Sequence, residues 1–260
     1  MHIIHASPAK VFLLALSLVV AVATSAAETK PGPNVTPILN PEKQGAELSA
    51  RLRSAVPSEP SVSGRLEITT RDDTTTVIPI VSRVVSSPTN VQVIYLAEPT
   101  PGQPAEALTI THTTNAPNRY TLAVATNLFA SPLDSRQLFR PFAGSDFSVF
   151  DLGLEFLHWP QQRVLRHEMS RSRSCWVLES VTPSAVPGGY ARVVSWVDVE
   201  YEGILQAEAY EKAGDRDPIK KFSVGALRKV GDERKIGSLK MHDSRTRRDT
   251  ELKFDLQAKP

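Results

Sequence analysis

Apolar and polar side chains alternate along most of the chain after residue 60. The period is two, which is typical of antiparallel strands with one covered face and one wet face. The apolar positions of this pattern are Leu66, Ile68, Val91, Val93, Tyr95, Leu108, Ile110, Leu239, Met241, Leu252 and Phe254. Turn-forming pairs such as Pro101-Gly102 and Gly231-Asp232 separate the alternating segments. We predict about nine to eleven antiparallel strands, a number that obliges the sheet to curl or close.

A helix is predicted before the first strand. Asn40 can cap it, Pro41 suits its first position, and Glu42 places an anion in its first turn. The pair Val56-Pro57 ends it near residue 55. Its apolar stripe is thin, which favours a helix lying across a rim or mouth over one buried on all sides.

More helical sequence interrupts the strands between residues 135 and 159. Asp151 stands where the N-cap of a helix over residues 152–158 belongs. Asp146 follows Gly144 and Ser145, so its carboxylate is expected to stabilise a turn. Both carboxylates are therefore predicted to be structural.

The N-terminal segment has the features of a removable signal peptide. Lys10 precedes an apolar run over residues 11–22, and small residues at 23–27 offer a cleavage site. The run is too short for a membrane span of about 20 residues, so no stable span is predicted. We divide the chain into a signal peptide (1–27), a proline-rich linker (28–40) and one domain (41–260), released into the periplasm.

Composition narrows the function classes. The 30 Lys and Arg residues nearly balance 28 Asp and Glu residues, which argues against a nucleic-acid binder. Cys175 is the only cysteine, so no intramolecular disulfide can form and stability must come from a core. A lone thiol on a strand is usually inert packing, even with arginines nearby.

Catalytic and metal-binding patterns are weak. His158, His167 and Glu168 are the candidate metal ligands. His167 and Glu168 are neighbours on a predicted strand and point to opposite faces, so they are not expected to bind one metal ion together. The serines lack a nucleophile elbow with matching histidine and aspartate. We predict no enzyme activity, no metal and no cofactor.

Arginines form two rows in the pattern. Arg171 with Arg173, and Arg245 with Arg247, are each expected to share one strand face. Such rows serve as solvated sheet edges, or as a docking surface for anionic head groups or an acidic partner. The apolar face of the sheet also allows two interpretations. The alternating pattern is compatible with a completely filled core and with a cavity that binds an apolar ligand.

Several sequence elements occur in a characteristic order. They are GSDFSVFDL (144–152), LEFLHW (154–159), CWVLE (175–179), YARVVSWVD (190–198), QAEAY (206–210) with KKF (220–222), and MHD (241–243) with TEL (250–252). In this order and spacing the chain resembles outer-membrane lipoprotein-sorting proteins of the LolA-like family. The resemblance covers most of the chain after the linker.

The resemblance implies an α+β fold. We expect a strongly curved antiparallel sheet, an unclosed half-barrel, with two or three short helices over its concave face. It implies a periplasmic carrier that holds acyl chains of a lipid or lipoprotein and meets envelope proteins or an outer-membrane acceptor. The alternative is an envelope interaction or stress-sensing module of the same fold without lipid transfer.

The candidate site is the apolar hollow with its lid. Its predicted ligand-binding residues are Leu66, Ile68, Val91, Val93, Tyr95, Leu108, Ile110, Phe147, Leu154, Leu157, Trp159, Trp196 and Met241. The motif residues with predicted structural roles are Gly144, Ser145, Asp146 and Asp151.

Overall fold

A computed structural model describes residues 19–21, 38–55, 60–113, 116–125, 129–230 and 233–256. Most of the predicted signal peptide and linker lies outside the described residues, and those two predictions stay untested. Within the described ranges, no helix is both long and apolar enough to cross a membrane.

Strands dominate the described chain. They are β1 (Val19–Ala21), β2 (Ser61–Thr69), β3 (Thr75–Ser86), β4 (Asn90–Ala97), β5 (Glu106–Thr113), β6 (Ala116–Val124), β7 (Ser131–Pro132), β8 (Gln161–Ser170), β9 (Arg173–Val181), β10 (Arg192–Asp198), β11 (Ile204–Tyr210), β12 (Lys220–Val230), β13 (Glu233–Asp243) and β14 (Arg248–Phe254). The helices are α1 (Pro41–Ser54), α2 (Val149–Leu152) and two 3-10 helices, Gln137–Phe139 and Glu155–His158.

All the strands belong to one antiparallel sheet. Its order is β7-β6-β5-β4-β3-β2-β14-β13-β12-β11-β10-β9-β8, with β1 paired to β13. Two meanders, β2–β7 and β8–β14, are joined where β2 pairs with β14. The edge strands β7 and β8 are not neighbours in this order, so the sheet is unclosed.

The predicted antiparallel sheet is confirmed, but the predicted number of strands is wrong. The continuous order contains 13 strands, not nine to eleven. Strand β7 has only two residues, Ser131–Pro132, and both are exposed. A strand of this length has no alternation by which it could be recognised in a sequence.

Helix α1 confirms the sequence prediction. The Asn40 side chain accepts a hydrogen bond from the backbone N–H of Lys43, and Leu48 and Leu52 enter the core. The helix packs across the edge strand β8, so closely that a Cβ on Gly45 would lie 2.4 Å from the Cα of Arg163. It therefore covers one rim of the sheet.

The segment between β7 and β8 has to pass from one sheet edge to the other. It crosses the face that bears the main core, which we call the inner face. We call residues 137–159 the cover. The predicted helix over 152–158 is wrong, because Leu154 adopts a left-handed backbone (φ 48°) that separates α2 from the second 3-10 helix.

The N-cap assignment of Asp151 is also wrong. Ser148 caps α2, and Asp151 occupies the third helical position, where its carboxylate accepts the backbone N–H of Ser148 at 2.8 Å. The two residues form a capping box, which satisfies two backbone donors reciprocally. Asp151 therefore accepts a backbone N–H at the start of a helix, as expected. The cap itself, however, is Ser148, three residues before Asp151.

Candidate functional site

Most of the predicted hollow residues meet on the inner face. They share one core and are at most 5 % exposed: Leu66, Ile68, Val93, Tyr95, Leu108, Ile110 and Met241. Val91 is half-buried at the start of β4. The sheet therefore presents a continuous apolar inner face, and in this conformation that face is covered.

Trp196 lies on the opposite face. It alternates along β10 with Val197, which belongs to the main core. It packs with a second cluster of Val177, Val194 and Tyr210, and its indole N–H donates to Glu168. Trp196 also contacts the main core at its border, so it lies at the edge of the predicted hollow and not inside it.

The cover fills the space over the inner face with its own side chains. The cover residues that are at most 6 % exposed in this core are Phe142, Ala143, Phe147, Val149, Phe150, Leu152, Phe156 and Leu157. The ring of Phe142 lies 6.2 Å from that of Tyr95, and the ring of Phe150 lies 5.4 Å from that of Tyr190. The predicted lid residues Leu154 and Trp159 are partly buried against the same core.

Asp146 anchors the cover to β14, so the expectation of a local turn role is wrong. Its carboxylate accepts from Nε and Nη2 of Arg248 at 3.1 and 3.0 Å and from the Thr250 hydroxyl at 2.7 Å. The Gly144 carbonyl accepts from the same guanidinium at 3.1 Å. The Ser145 hydroxyl bonds within the turn, to the Phe142 carbonyl.

A second anchor joins the cover to the β8–β14 meander. The Asp151 carboxylate accepts from the Tyr190 hydroxyl at 3.0 Å and from the Lys220 ammonium at 3.1 Å. Lys220 also donates to the Asp146 carbonyl at 2.6 Å. Burial, with the negative charge of Asp151 as a second cause, raises the pKa of Tyr190 well above its usual value. Tyr190 is therefore a neutral donor.

The β2–β7 meander holds the other side of the cover. The Glu106 carboxylate accepts from Arg140 and from the backbone N–H of Ala143, each at 3.0 Å. The Tyr120 hydroxyl donates to Glu155 at 2.5 Å. Burial raises the pKa of the Glu155 carboxyl, and burial is also the main cause that raises the pKa of Tyr120.

Sequence reasoning missed most of these anchors as functional positions. The sequence does contain a signal for some of them, because these polar residues occupy positions where the alternating pattern calls for an apolar residue. Glu106 precedes Leu108 in its register, and Thr250 precedes Leu252. A polar residue in a buried register needs a partner, and here the partner is the cover.

The arginine rows do not form as predicted. Arg171 lies in the turn after β8 with a positive φ, and Arg245 and Arg247 lie in the turn before β14. Arg173 is on β9, where its guanidinium bonds to Asp198 at 2.5 Å. The shared strand faces are therefore absent.

The other candidate chemistry is structural. Cys175 is buried, and burial raises the pKa of its thiol to about 11, which keeps it protonated and unreactive. His167 bonds to Ser174, whereas Glu168 bonds to Arg166. Across the described ranges, no group of three or more His, Cys, Asp or Glu side chains could hold a metal ion.

Comparisons with known proteins agree with this architecture. Residues 91–258 match the model of a family whose description reads "-like: Uncharacterized protein". A structure of a domain assigned to outer-membrane lipoprotein sorting, from Vibrio parahaemolyticus, aligns with a TM-score of 0.63 and 18 % identity over 83 % of this chain and 92 % of that one. No curated protein matches the chain.

Two further solved structures have the same fold. A DUF1329 family protein from Desulfovibrio piger aligns with a TM-score of 0.63 and 16 % identity, over 84 % of this chain and 93 % of that one. A LolA superfamily protein from Nitrosomonas europaea aligns with a TM-score of 0.56 and 15 % identity, over 85 % and 94 %. At these identities the likeness establishes the fold.

Proposed function

The chain belongs to a LolA-like family, and from that membership we propose that it is a periplasmic carrier that holds acyl chains between its inner face and the cover. One observation carries the proposal. The apolar inner face of an unclosed sheet is covered mainly by a single crossing segment, and polar contacts hold that segment at its rims. Such contacts can be exchanged for water when the cover lifts.

The energetics favour exchange of one apolar filling for another. Each methylene of an acyl chain that leaves water contributes about 0.8 kcal/mol. The rings of Phe142 and Phe150 occupy the inner face under the cover, and an acyl chain that replaced them would restore the same kind of apolar contact. The cover would then pack on the ligand and no longer on the sheet.

Co-purification tests carriage directly. We expect native mass spectrometry of the protein from an envelope fraction to show acyl-lipid adducts. Leu66→Asp should abolish them, because an unpaired carboxylate on the inner face is strongly disfavoured. The matched control is Val77→Asp, on the adjacent strand but 47 % exposed, which should keep the adducts.

Folding must be checked in the same experiment. A Leu66→Asp protein with native circular dichroism and no lipid supports the hollow. A protein that loses its folded signal indicates that Leu66 belongs to a filled core. Wild-type protein that never carries lipid, and in which decanoate leaves hydrogen exchange of the cover unchanged, refutes carriage.

A second candidate function rests on the covered state itself. The inner face is filled by buried cover residues, eight of which are at most 6 % exposed, as a permanent core would be. An envelope interaction or stress-sensing module of the same fold would keep this core and respond only to a protein partner. Hydrogen exchange separates the two functions, because a partner would protect outer surfaces and leave residues 137–159 unchanged, whereas an acyl ligand would alter the cover.

A further inference from the structure

A cavity of about 410 Å³ lies where α1, the start of β6 and the end of the cover meet. Its lining residues are Ala46, Ser49, Arg53, Ala116, Pro117, His158, Trp159, Pro160 and Gln162. This volume is within the range of small-molecule sites, about 300–1,000 Å³. The cavity is open to solvent on one side and borders the main core on the other.

The border with the core is formed by neighbours of the lining residues. Leu52 and Leu157, each adjacent to a lining residue in sequence, are almost fully buried in the core. The Trp159 ring lies 5.6 Å from that of Phe150, which occupies the inner face. The Trp159 side chain therefore separates a molecule in this cavity from the proposed acyl hollow.

Arg53 brings one positive charge to the cavity, and the described lining residues include no carboxylate that compensates it. None of its nine lining residues is Asp or Glu, and among the described residues no carboxylate forms an ion pair with Arg53. The Arg53 guanidinium donates to the Leu157 carbonyl and, at 3.3 Å, to the Ser49 hydroxyl. Both partners are neutral.

The surrounding electrostatics agree with this geometry. Burial lowers the pKa of Arg53, and burial together with the charges of Arg53 and His112 lowers the pKa of His158 to about 4. His112 bonds to Asn118 at 2.8 Å, and the nearby Glu155 carboxylate is engaged by Asn118 and Tyr120. An anion entering the cavity would relieve the repulsion that lowers the pKa of His158.

A larger neighbouring cavity serves as a contrast. It measures about 720 Å³, shares Ala46, Pro160 and Gln162 with the first cavity, and is lined by Arg163 and Arg192 toward the start of α1. There, however, Glu179 bonds to both arginines, at 2.5 and 3.5 Å. These two arginines share a carboxylate, whereas Arg53 has none among the described residues.

We propose that the cavity between Arg53 and His158 binds the anionic head group, a carboxylate or a phosphate, of an acyl lipid whose chain enters the hollow beneath the cover. This inference rests on the proposed carrier function. The guanidinium can donate charge-assisted hydrogen bonds to the oxyanion. The site would orient the lipid with its head at the rim beside α1.

The test compares ligands that share a chain and differ in charge. Calorimetric titration at pH 7.5 would use decanoate, decan-1-ol, acetate and inorganic phosphate. We expect decanoate to bind more tightly than decan-1-ol. Arg53→Gln should weaken decanoate by about tenfold or more, because the oxyanion loses its charge-assisted hydrogen bonds, and it should leave decan-1-ol unchanged. Arg51→Gln, on the same helix but in an exposed ion pair with Glu202, is the matched control and should bind decanoate normally.

Further measurements keep the test independent of folding. His158→Gln should also weaken decanoate selectively, Arg53→Lys should retain most of the affinity, and in wild type the imidazole pKa of His158 should rise when decanoate binds. Equal affinity for decanoate and decan-1-ol, insensitive to Arg53→Gln, would overturn the head-group site and leave carriage intact. Binding of acetate or phosphate without either acyl ligand, or binding of none of the four, would overturn the head-group site and carriage together.

Discussion

The anchor between Asp146 and Arg248 should decide how tightly the cover is closed. The Asp146 side chain is 1 % exposed and the Arg248 side chain 29 % exposed. Replacing Asp146 with Asn keeps the shape of the side chain and removes the negative charge, which leaves a mostly buried guanidinium without its counter-ion. We expect the cover to open more often while the sheet stays folded.

The magnitude follows from the burial of the pair. Breaking a buried ion pair by removing one partner costs about 3–5 kcal/mol, and the partial exposure of Arg248 favours the lower end. About 3 kcal/mol corresponds to a roughly 100-fold rise in the open population. The exchange of the Phe142 and Ser145 amides, which both bond within the cover turn, should accelerate by that factor.

Hydrogen exchange followed by mass spectrometry or NMR measures this directly. Asp255→Asn is the matched control, because Asp255 pairs with Arg65 at 3.3 Å with both side chains exposed. Exposed pairs contribute about 0–1 kcal/mol, so this variant should exchange nearly as wild type. If the β4 amides of Val93 and Tyr95 accelerated as much as those of the cover, cover and sheet would unfold as one unit, and the argument for a removable cover would fail.

Three further outcomes are expected. Gly153→Ala would place a Cβ 2.1 Å from the Tyr120 hydroxyl; urea titration should show a loss of about 1–3 kcal/mol, whereas Gly214→Ala, with open space around it, should show little change. Because the pKa of His158 is lowered to about 4, its contribution to stability is present above pH 6.5 and lost as the pH falls toward 4. The difference in melting temperature between wild type and His158→Gln should therefore change over that pH range. Superimposable pH profiles of the two proteins would contradict the lowered pKa. The Cys175 thiol, with its pKa raised to about 11, should not react with a disulfide reagent at pH 8 until the protein is denatured, and rapid reaction in the native state would contradict its burial.

The sequence predicted the elements whose signals are local. The start of α1 depends on Asn40 and Pro41, which act within one helical turn, and the strands at Leu66 and Leu108 follow from simple alternation. The helix over 152–158 failed because the left-handed Leu154 has no sequence signature. That conformation is imposed where the chain turns over the inner face.

The candidate site was predictable only in its apolar half. Inner-face residues such as Val93 and Ile110 follow from period two, whatever lies across from them. The anchors depend on pairs far apart in sequence, such as Asp146 with Arg248 and Asp151 with Lys220. Nothing local distinguishes such a carboxylate from one in a solvated turn, so only the fold reveals its role.

The topology gives the cover a further property. Its two ends continue into β7 and β8, the opposite edges of the sheet, and among the described strands the two meanders are hydrogen-bonded to each other only through the β2–β14 pair. The cover is thus a tether of fixed length between the free edges, with β2–β14 as the hinge opposite it. A ligand that lifts the tether must draw the edges together or bend the hinge, so the size of the cargo is coupled to the shape of the whole sheet.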